Sequence, residues 1–405
     1  MRRMIGRASD ESHRVATPLE LLFDLTFVVA FGIASAQAAH LLAEGHFLPA
    51  IGGFGFAMFA VVFAWINFSW FASAFDTDDW FYRVTTLVQM VGVIVLALGL
   101  PAMFHSLDEG LLFDNTVMVA GYVVMRVAML AQWLRVVRQD PEHRTIAKTM
   151  ALFIALAQTG WVVLLFLREL PWWGFVPCLV VVLALDLGGP IYAEFRKGGT
   201  PWHPHHIAER YGLLVIIALG EVIFGTIATV SAAVGHQGWS ADAIVLVVAG
   251  LALAFGMWWV YFILPAGVVL SVHRERGFGW GYSHILLYAS IAGTGAGLHV
   301  AGYLLEGEGH ISTQAAVLTV AVPVLVFLVM LYGIYTYLVH AFDGPLHLAL
   351  LAGGLAALVL AVVLAGSGVG FSVCLIIVAL APIITVVGYE TVGHRHEAIA
   401  LERMR

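Results

Sequence analysis

The sequence predicts an all-α polytopic membrane protein of about twelve transmembrane helices, on three observations. Apolar residues fill 61% of the 405 positions and charged residues only 11%, well below the roughly one quarter charged in an ordinary soluble domain. The apolar residues gather into runs of about 20, each enough to cross a hydrocarbon core ~30 Å thick. The basic residues also sort to one side when the runs are taken as alternating spans.

The runs cover roughly 19–42, 49–75, 81–104, 112–138, 145–168, 171–193, 208–231, 241–270, 280–304, 313–339, 344–366 and 370–390. Helices are the only solution for such runs, because backbone groups in lipid must be satisfied within the segment. The Gly-rich stretch 344–376 reads either as two spans or as one long kinked span. With the N-terminus inside, seventeen of the nineteen Lys and Arg residues fall in cytoplasmic segments. The exceptions are Arg168, outside, and Arg126, within the fourth span. Both termini are therefore expected in the cytoplasm. Trp80, Trp172, Trp173, Trp202, Trp239 and Trp280 fall at expected span ends, where amphipathic rings anchor. The preceding charges Glu20 and Asp24 argue that the Ala36-Gln37-Ala38 segment ends a retained first helix, not a cleaved leader.

The net charge of −7 and the dispersion of basic residues among short loops exclude a nucleic-acid surface. Cys178 and Cys374 both lie within spans, so no disulfide framework is expected. The longest links, of about 10–15 residues, hold no soluble domain, so chemistry belongs to the helix bundle itself. Residues 174–194 align without gaps on 370–390, with six of twenty-one positions identical. Trp65 and Phe68 in the second span echo Trp259 and Phe262 in the eighth. An offset near 195 divides the chain into a tail (1–18), a six-helix half (19–195), a link (196–207), a second half (208–390) and a C-terminal tail (391–405). Six spans being even, the halves would be parallel repeats, an arrangement found in transporters.

Two segments go beyond hydropathy. Thr17-Pro18-Leu19-Glu20-Leu21-Leu22-Phe23-Asp24, continuing to Phe27-Val28, opens the first span. His206-Ile207-Ala208-Glu209-Arg210-Tyr211-Gly212-Leu213, followed by Leu219-Gly220-Glu221, opens the seventh. Together they resemble the bacterial low-temperature-requirement A (LtrA) family, with its T-P-x-E-L-F-F-D-L-x-F-V and H-x-x-E-R-x-G-L elements. Trp258-Trp259-Val260-Tyr261-Phe262 is similar to a third family element. Leu22 stands where Phe is expected, and Ile263 where many members have an acidic residue. The resemblance covers most of the chain. It implies a bacterial inner-membrane protein linked to growth in the cold, and no settled biochemical activity.

Pro18 suits a first helical turn, and Glu20 beside it complements the helix dipole. Asp24 lies one turn deeper on the same face. His206 is spaced to meet Glu209 and Arg210 at the surface, the second half of a cytoplasmic polar cluster with Glu20. His203, His205, His206 and Glu209 could offer metal ligands, but Pro204 interrupts their spacing and no metal is assigned. Arg126 and Glu221 lie at similar depths, which allows them to pair; Asp24 and Asp186 share a shallower level. The plainer reading of all four is a structural interhelical salt bridge. Charges at such depth are costly enough, however, to mark solute or proton pathways.

The favoured expectation is a secondary transporter of a small polar or anionic solute. Arg126, Glu221, Asp24 and Asp186 would form its solute- and proton-binding set, with no cofactor. Its partners would be membrane lipids and that solute; self-association is allowed but not specified. The alternative is a membrane-embedded enzyme or receptor for a lipid or apolar cofactor, drawn from the His/Glu/Arg cluster. A stress-linked scaffold is the third reading, and it leaves the buried charges unexplained.

Overall fold

The computed structural model describes residues 1–9, 11, 14–110, 113–340 and 344–402. Fourteen α-helices follow one another: α1 (Pro18–Ala43), α2 (Phe47–Phe75), α3 (Trp80–Asp108), α4 (Thr116–Gln139), α5 (Arg144–Phe166), α6 (Trp172–Arg196), α7 (Pro204–Gln237), α8 (Ala241–Phe262), α9 (Ala266–Val272), α10 (Gly277–Glu306), α11 (Thr313–Val339), α12 (Gly344–Gly366), α13 (Phe371–Gly388) and α14 (His394–Glu402). No strand occurs among the described residues. Twelve of the segments are long and apolar enough to cross a membrane. The protein is a polytopic all-α membrane protein.

Local sequence explains the ends. Asp79, Ser240 and Ser312 cap α3, α8 and α11 by accepting the backbone N–H three residues on, satisfying a donor that the first turn leaves open. Gly307 closes α10 in the left-handed conformation at φ 78°, which glycine adopts without steric cost. Pro265, which cannot donate a backbone hydrogen bond, separates α8 from α9, so the expected eighth span is a broken one. The stretch 344–376 resolves into two helices, α12 and α13. Pro204 does not interrupt the start of the seventh span. It opens α7 four residues ahead of the expected boundary, at a position where its missing N–H costs nothing.

The chain forms two compact units whose boundaries fall inside α1, α2 and α7. One comprises Met1–Ile33 and Ala60–Arg210, the other Ala34–Phe59 and Tyr211–Arg405. In the first, α3, α4, α5 and α6 pack in sequence; in the second, α10 packs on α11, and α13 on both α12 and α8. Large apolar side chains such as Leu98, Val127, Phe166, Phe224 and Phe255 remain exposed along the helices, as lipid-facing positions should.

Two of the tryptophans expected at the interface are interior instead. Trp280 is fully buried against Tyr211, with ring centroids 4.4 Å apart, and Trp202 packs on Trp70 at 4.8 Å. Trp80, Trp173 and Trp239 are exposed. The Trp172 side chain, Arg403 and Arg405 lie outside the described residues.

Candidate functional site

The first unit encloses an ion cluster built from α1 and the opening turns of α7. Thr17 and Glu20 form a reciprocal cap: the Thr17 N–H donates to Glu20 Oε2 at 2.8 Å, and the Glu20 N–H donates to Thr17 Oγ1 at 3.3 Å. This arrangement satisfies two open donors and fixes the Glu20 side chain at the helix start. Arg210 then donates through NH1 to Glu20 Oε1 at 2.8 Å and through NH2 to Asp24 Oδ1 at 2.5 Å, with its Nε 3.3 Å from Asp24 Oδ2. The planar fork of arginine suits such a double engagement. Trp65 Nε1 donates to Asp24 Oδ1 at 2.7 Å, and the Arg210 guanidinium lies 5.6 Å from the Trp65 ring centre. His206 Nε2 lies 3.3 Å from Glu20.

Glu20, Asp24, Trp65, His206 and Arg210 have no solvent exposure at all. The expectation that His206 and Arg210 sit at the surface is therefore corrected. The cause is the pairing itself, since two carboxylates let the guanidinium leave water. His206 turns to Glu20 and not to Glu209 or Arg210. Glu209 is half-buried and accepts the Ala16 N–H. His203 caps α7, its Nδ1 accepting the His206 N–H at 3.2 Å. The cluster has two carboxyls, one guanidinium and one imidazole, so one proton decides whether it is neutral. The buried polar atoms of this unit without a hydrogen-bond partner include His206 Nδ1, the Tyr82 hydroxyl and Arg14 Nε. Such orphans are rare and point to hydration or exchange.

The N-terminal segment is tied to the same unit. Asp79 accepts the Arg2 N–H at 3.0 Å and pairs with Arg135 at 2.5 Å; the N–H groups of Met4 and Gly6 donate to Gln139 and Asp140, both at 2.7 Å. Two aspartates in the 76–79 turn are shifted in opposite directions. Burial, and next the charge of Glu20, push the Asp76 carboxyl up to about 6. Burial also raises Asp79, but its hydrogen bonds with Arg135 and the Tyr82 N–H outweigh this and hold it at about 2.

Arg126 on α4 pairs with Asp186 on α6 at 2.8 Å. Trp161 Nε1 donates to the other Asp186 oxygen at 3.0 Å, and the guanidinium lies 5.0 Å from the Tyr122 ring and 5.5 Å from that of Phe63. The partner found for Arg126 is thus Asp186, which the sequence placed at a shallower level, and not Glu221, whose depth had allowed the pairing.

Glu221, in the second unit, is arranged differently. It is 3% exposed, and its carboxyl is hydrogen-bonded to the Ser35 hydroxyl of α1. Among the described residues no Lys, Arg or His pairs with it. Its backbone is pressed against α10: a methyl group added to Gly295 would collide with the Glu221 carbonyl, and one on Gly225 with that of Gly295. The expected role of the 293–297 glycines in close packing is visible here.

The family model for the bacterial low temperature requirement A protein (LtrA) matches residues 15–382, from just before the Thr17 cap through most of α13. The chain belongs to the LtrA family. An uncharacterized protein of Rhizobium meliloti (strain 1021) is 28% identical to it over 216 residues, which is 50% of this chain and 48% of the relative. The chain thus spans about half the length of that curated relative. No solved structure matches.

Both LtrA sequence elements converge in the first unit: the E-x-x-x-D of the first supplies Glu20 and Asp24, the H-x-x-E-R of the second supplies His206 and Arg210. Sequence reasoning grouped Glu20, His206, Glu209 and Arg210 in one cluster but set Asp24 apart in the solute-binding set, and it gave no site role to Trp65, Arg14, Asp76, the Asp79–Arg135 pair or Ser35. Trp65 had a signal in its echo at Trp259, whose indole likewise donates to a carboxylate, Glu390, at 3.0 Å.

Proposed function

We propose that this LtrA-family protein is a proton-coupled secondary transporter of a small polar or anionic solute in the bacterial inner membrane, with both termini cytoplasmic. The observation that carries the reading is Glu221, a buried carboxyl within a span and without a basic partner among the described residues. An ionised carboxylate taken out of water without a counter-charge is strongly disfavoured, so this group is stable when it holds a proton or meets a cation. That is the chemistry of a coupling site. The one-proton balance of the Glu20–Asp24–Arg210–His206 cluster supports the same reading. The positive-inside bias of the loops supports the orientation.

The test is proton flux into sealed proteoliposomes during a screen of small polar and anionic metabolites, comparing wild type, Glu221→Asp and Glu221→Gln. Solute-dependent proton movement retained by the Asp variant and lost by the Gln variant is expected. Flux unchanged in Glu221→Gln, or none from folded wild type with any solute, overturns the reading.

A second reading, a receptor or enzyme for a lipid or apolar cofactor, is favoured by a separate feature of the second unit. An open apolar cavity of about 450 Å³ lies among α1, α2, α10 and α11, with Phe47, Phe54, Leu286, Leu318 and Pro323 in its wall. Its two hydroxyl-bearing residues, Ser290 and Thr319, donate to carbonyls of their own helices. Stoichiometric recovery of one apolar compound with the purified protein would favour this reading.

A further inference from the structure

A smaller pocket in the second unit has a different character, independent of the transport reading. It holds about 90 Å³ at the C-terminal ends of α8, α11 and α13 and the start of α12. That is room for several water-sized groups. Three tyrosines and two histidines line it: Tyr332, Tyr335, Tyr389, His347 and His396. The His347 ring meets the rings of both Tyr332 and Tyr335 edge-on, at centroid distances of 5.6 and 5.3 Å. The tyrosines and His347 are half-buried and His396 is exposed. Much of the remaining wall is aliphatic, including Val260, Ile263 and Leu264.

Tyr389 begins a π-helical turn, Tyr389–Gly393, a distortion frequent at functional sites. Its hydroxyl is hydrogen-bonded to Glu397. Glu397 is buried, 8% exposed, and its Oε2 atom has no hydrogen-bond partner. No ion pair involves it among the described residues. Glu397 is thus joined to the pocket wall through Tyr389, with one carboxylate oxygen open and no positive charge paired to it among the described residues.

We propose that this pocket binds a small N-methylated ammonium cation, held by cation–π attraction to Tyr332, Tyr335 and Tyr389 and balanced by the carboxylate of Glu397. Aromatic rings attract a cation through their negative faces, and cages of them select alkylated ammonium over strongly hydrated ions. The aliphatic part of the wall fits the methyl groups. Among the described residues a bare metal ion would find imidazoles and phenols there but no compact set of three ligands.

The test is calorimetric titration of the full-length protein in detergent with choline and, separately, with its uncharged isostere in which carbon replaces the quaternary nitrogen. Saturable choline binding with little or none for the isostere is expected. Tyr335→Phe, which keeps the ring, should retain affinity, whereas Tyr335→Leu should weaken it by about fivefold or more. Glu397→Gln should weaken it as well. No saturable binding by wild type, or equal binding of the isostere, overturns the proposal without recourse to any variant. So does undiminished choline binding in folded Tyr335→Leu.

Discussion

The same two helices carry two carboxyl sites of opposite design. On α1 and α7 within the first unit, Glu20 and Asp24 share one guanidinium, an imidazole and an indole. Eleven residues farther along each helix, in the second unit, Ser35 and Glu221 meet with no charge between them but the carboxyl's own. Both sites are buried. In the first, burial is compatible with ionisation because each carboxylate accepts charged hydrogen bonds. In the second, burial leaves the carboxyl to settle its charge by taking up a proton or a cation. The lesson is that depth in a membrane does not by itself mark a working group. The partner inventory is the sharper guide: Arg210 and Arg126 each have buried carboxylate partners, whereas Glu221 has no basic partner among the described residues.

The comparison breaks first at Arg210. Replacing it with Leu leaves two buried carboxylates uncompensated, and removing one partner of a buried pair typically costs about 3–5 kcal/mol. Arg210→Leu should therefore yield little monodisperse protein on size exclusion, and Arg210→Lys an intermediate amount, because a single ammonium cannot reproduce the fork. The same ordering is expected at Arg126, with Leu worse than Lys because Asp186 would lose its partner. If the Leu and Lys variants are tolerated equally, the charge is not needed there.

The next test sets the two sites against each other by thermal unfolding in detergent. Asp24→Leu strands Arg210 with half its neutralisation and should lower the melting temperature strongly. Glu221→Gln removes no ion pair and should stay within about 1 kcal/mol of wild type, the range of a single neutral hydrogen bond. A large destabilisation by Glu221→Gln would show the carboxyl to be a structural element after all.

The contrast repeats outside the membrane in Asp76 and Asp79. Asp76, raised from 3.8 to about 6, binds more protons folded than unfolded between those values. Its ionisation therefore opposes folding, and its contribution to stability falls as pH rises from about 4 through 6. Asp76→Asn should accordingly be more stable than wild type above pH 6, the difference vanishing below about pH 4. Asp79, lowered to about 2, works in the other direction: its stabilisation is complete above 3.8 and lost as pH falls toward 2. Paired melting curves across pH 4 to 8 check the first sign. The smallest effect is expected at Thr17→Ala, which removes half of the reciprocal cap and should cost about 1 kcal/mol.

Hydropathy and loop charge made the twelve spans legible, because lipid leaves the backbone only one solution. The individual charges were legible too, since any ionisable residue inside an apolar run stands out. Their partners were legible only in part: Glu20, His206 and Arg210 were grouped, but Asp24 was not joined to them. Depth suggested Glu221 for Arg126, and depth cannot say which helix faces which; that is decided by packing contacts such as Trp161 on Asp186. His206 and Arg210 looked superficial because they open α7, yet a helix start is buried when other segments pack over it. The N-terminal segment read as a polar tail, and its attachment depends on backbone N–H groups, which carry no sequence signature.

The order in which these partners are made has a consequence of its own. Glu20 and Asp24 wait for an arginine 190 and 186 residues later in the chain. At synthesis rates of about 5–20 residues per second, the delay is roughly ten to forty seconds. Throughout it, the first helix has two acids and no guanidinium to receive them. It must then enter the bilayer with those acids uncharged, or rest at the membrane edge until α7 emerges. In either case the final seating of the first segment made is timed by the arrival of the seventh.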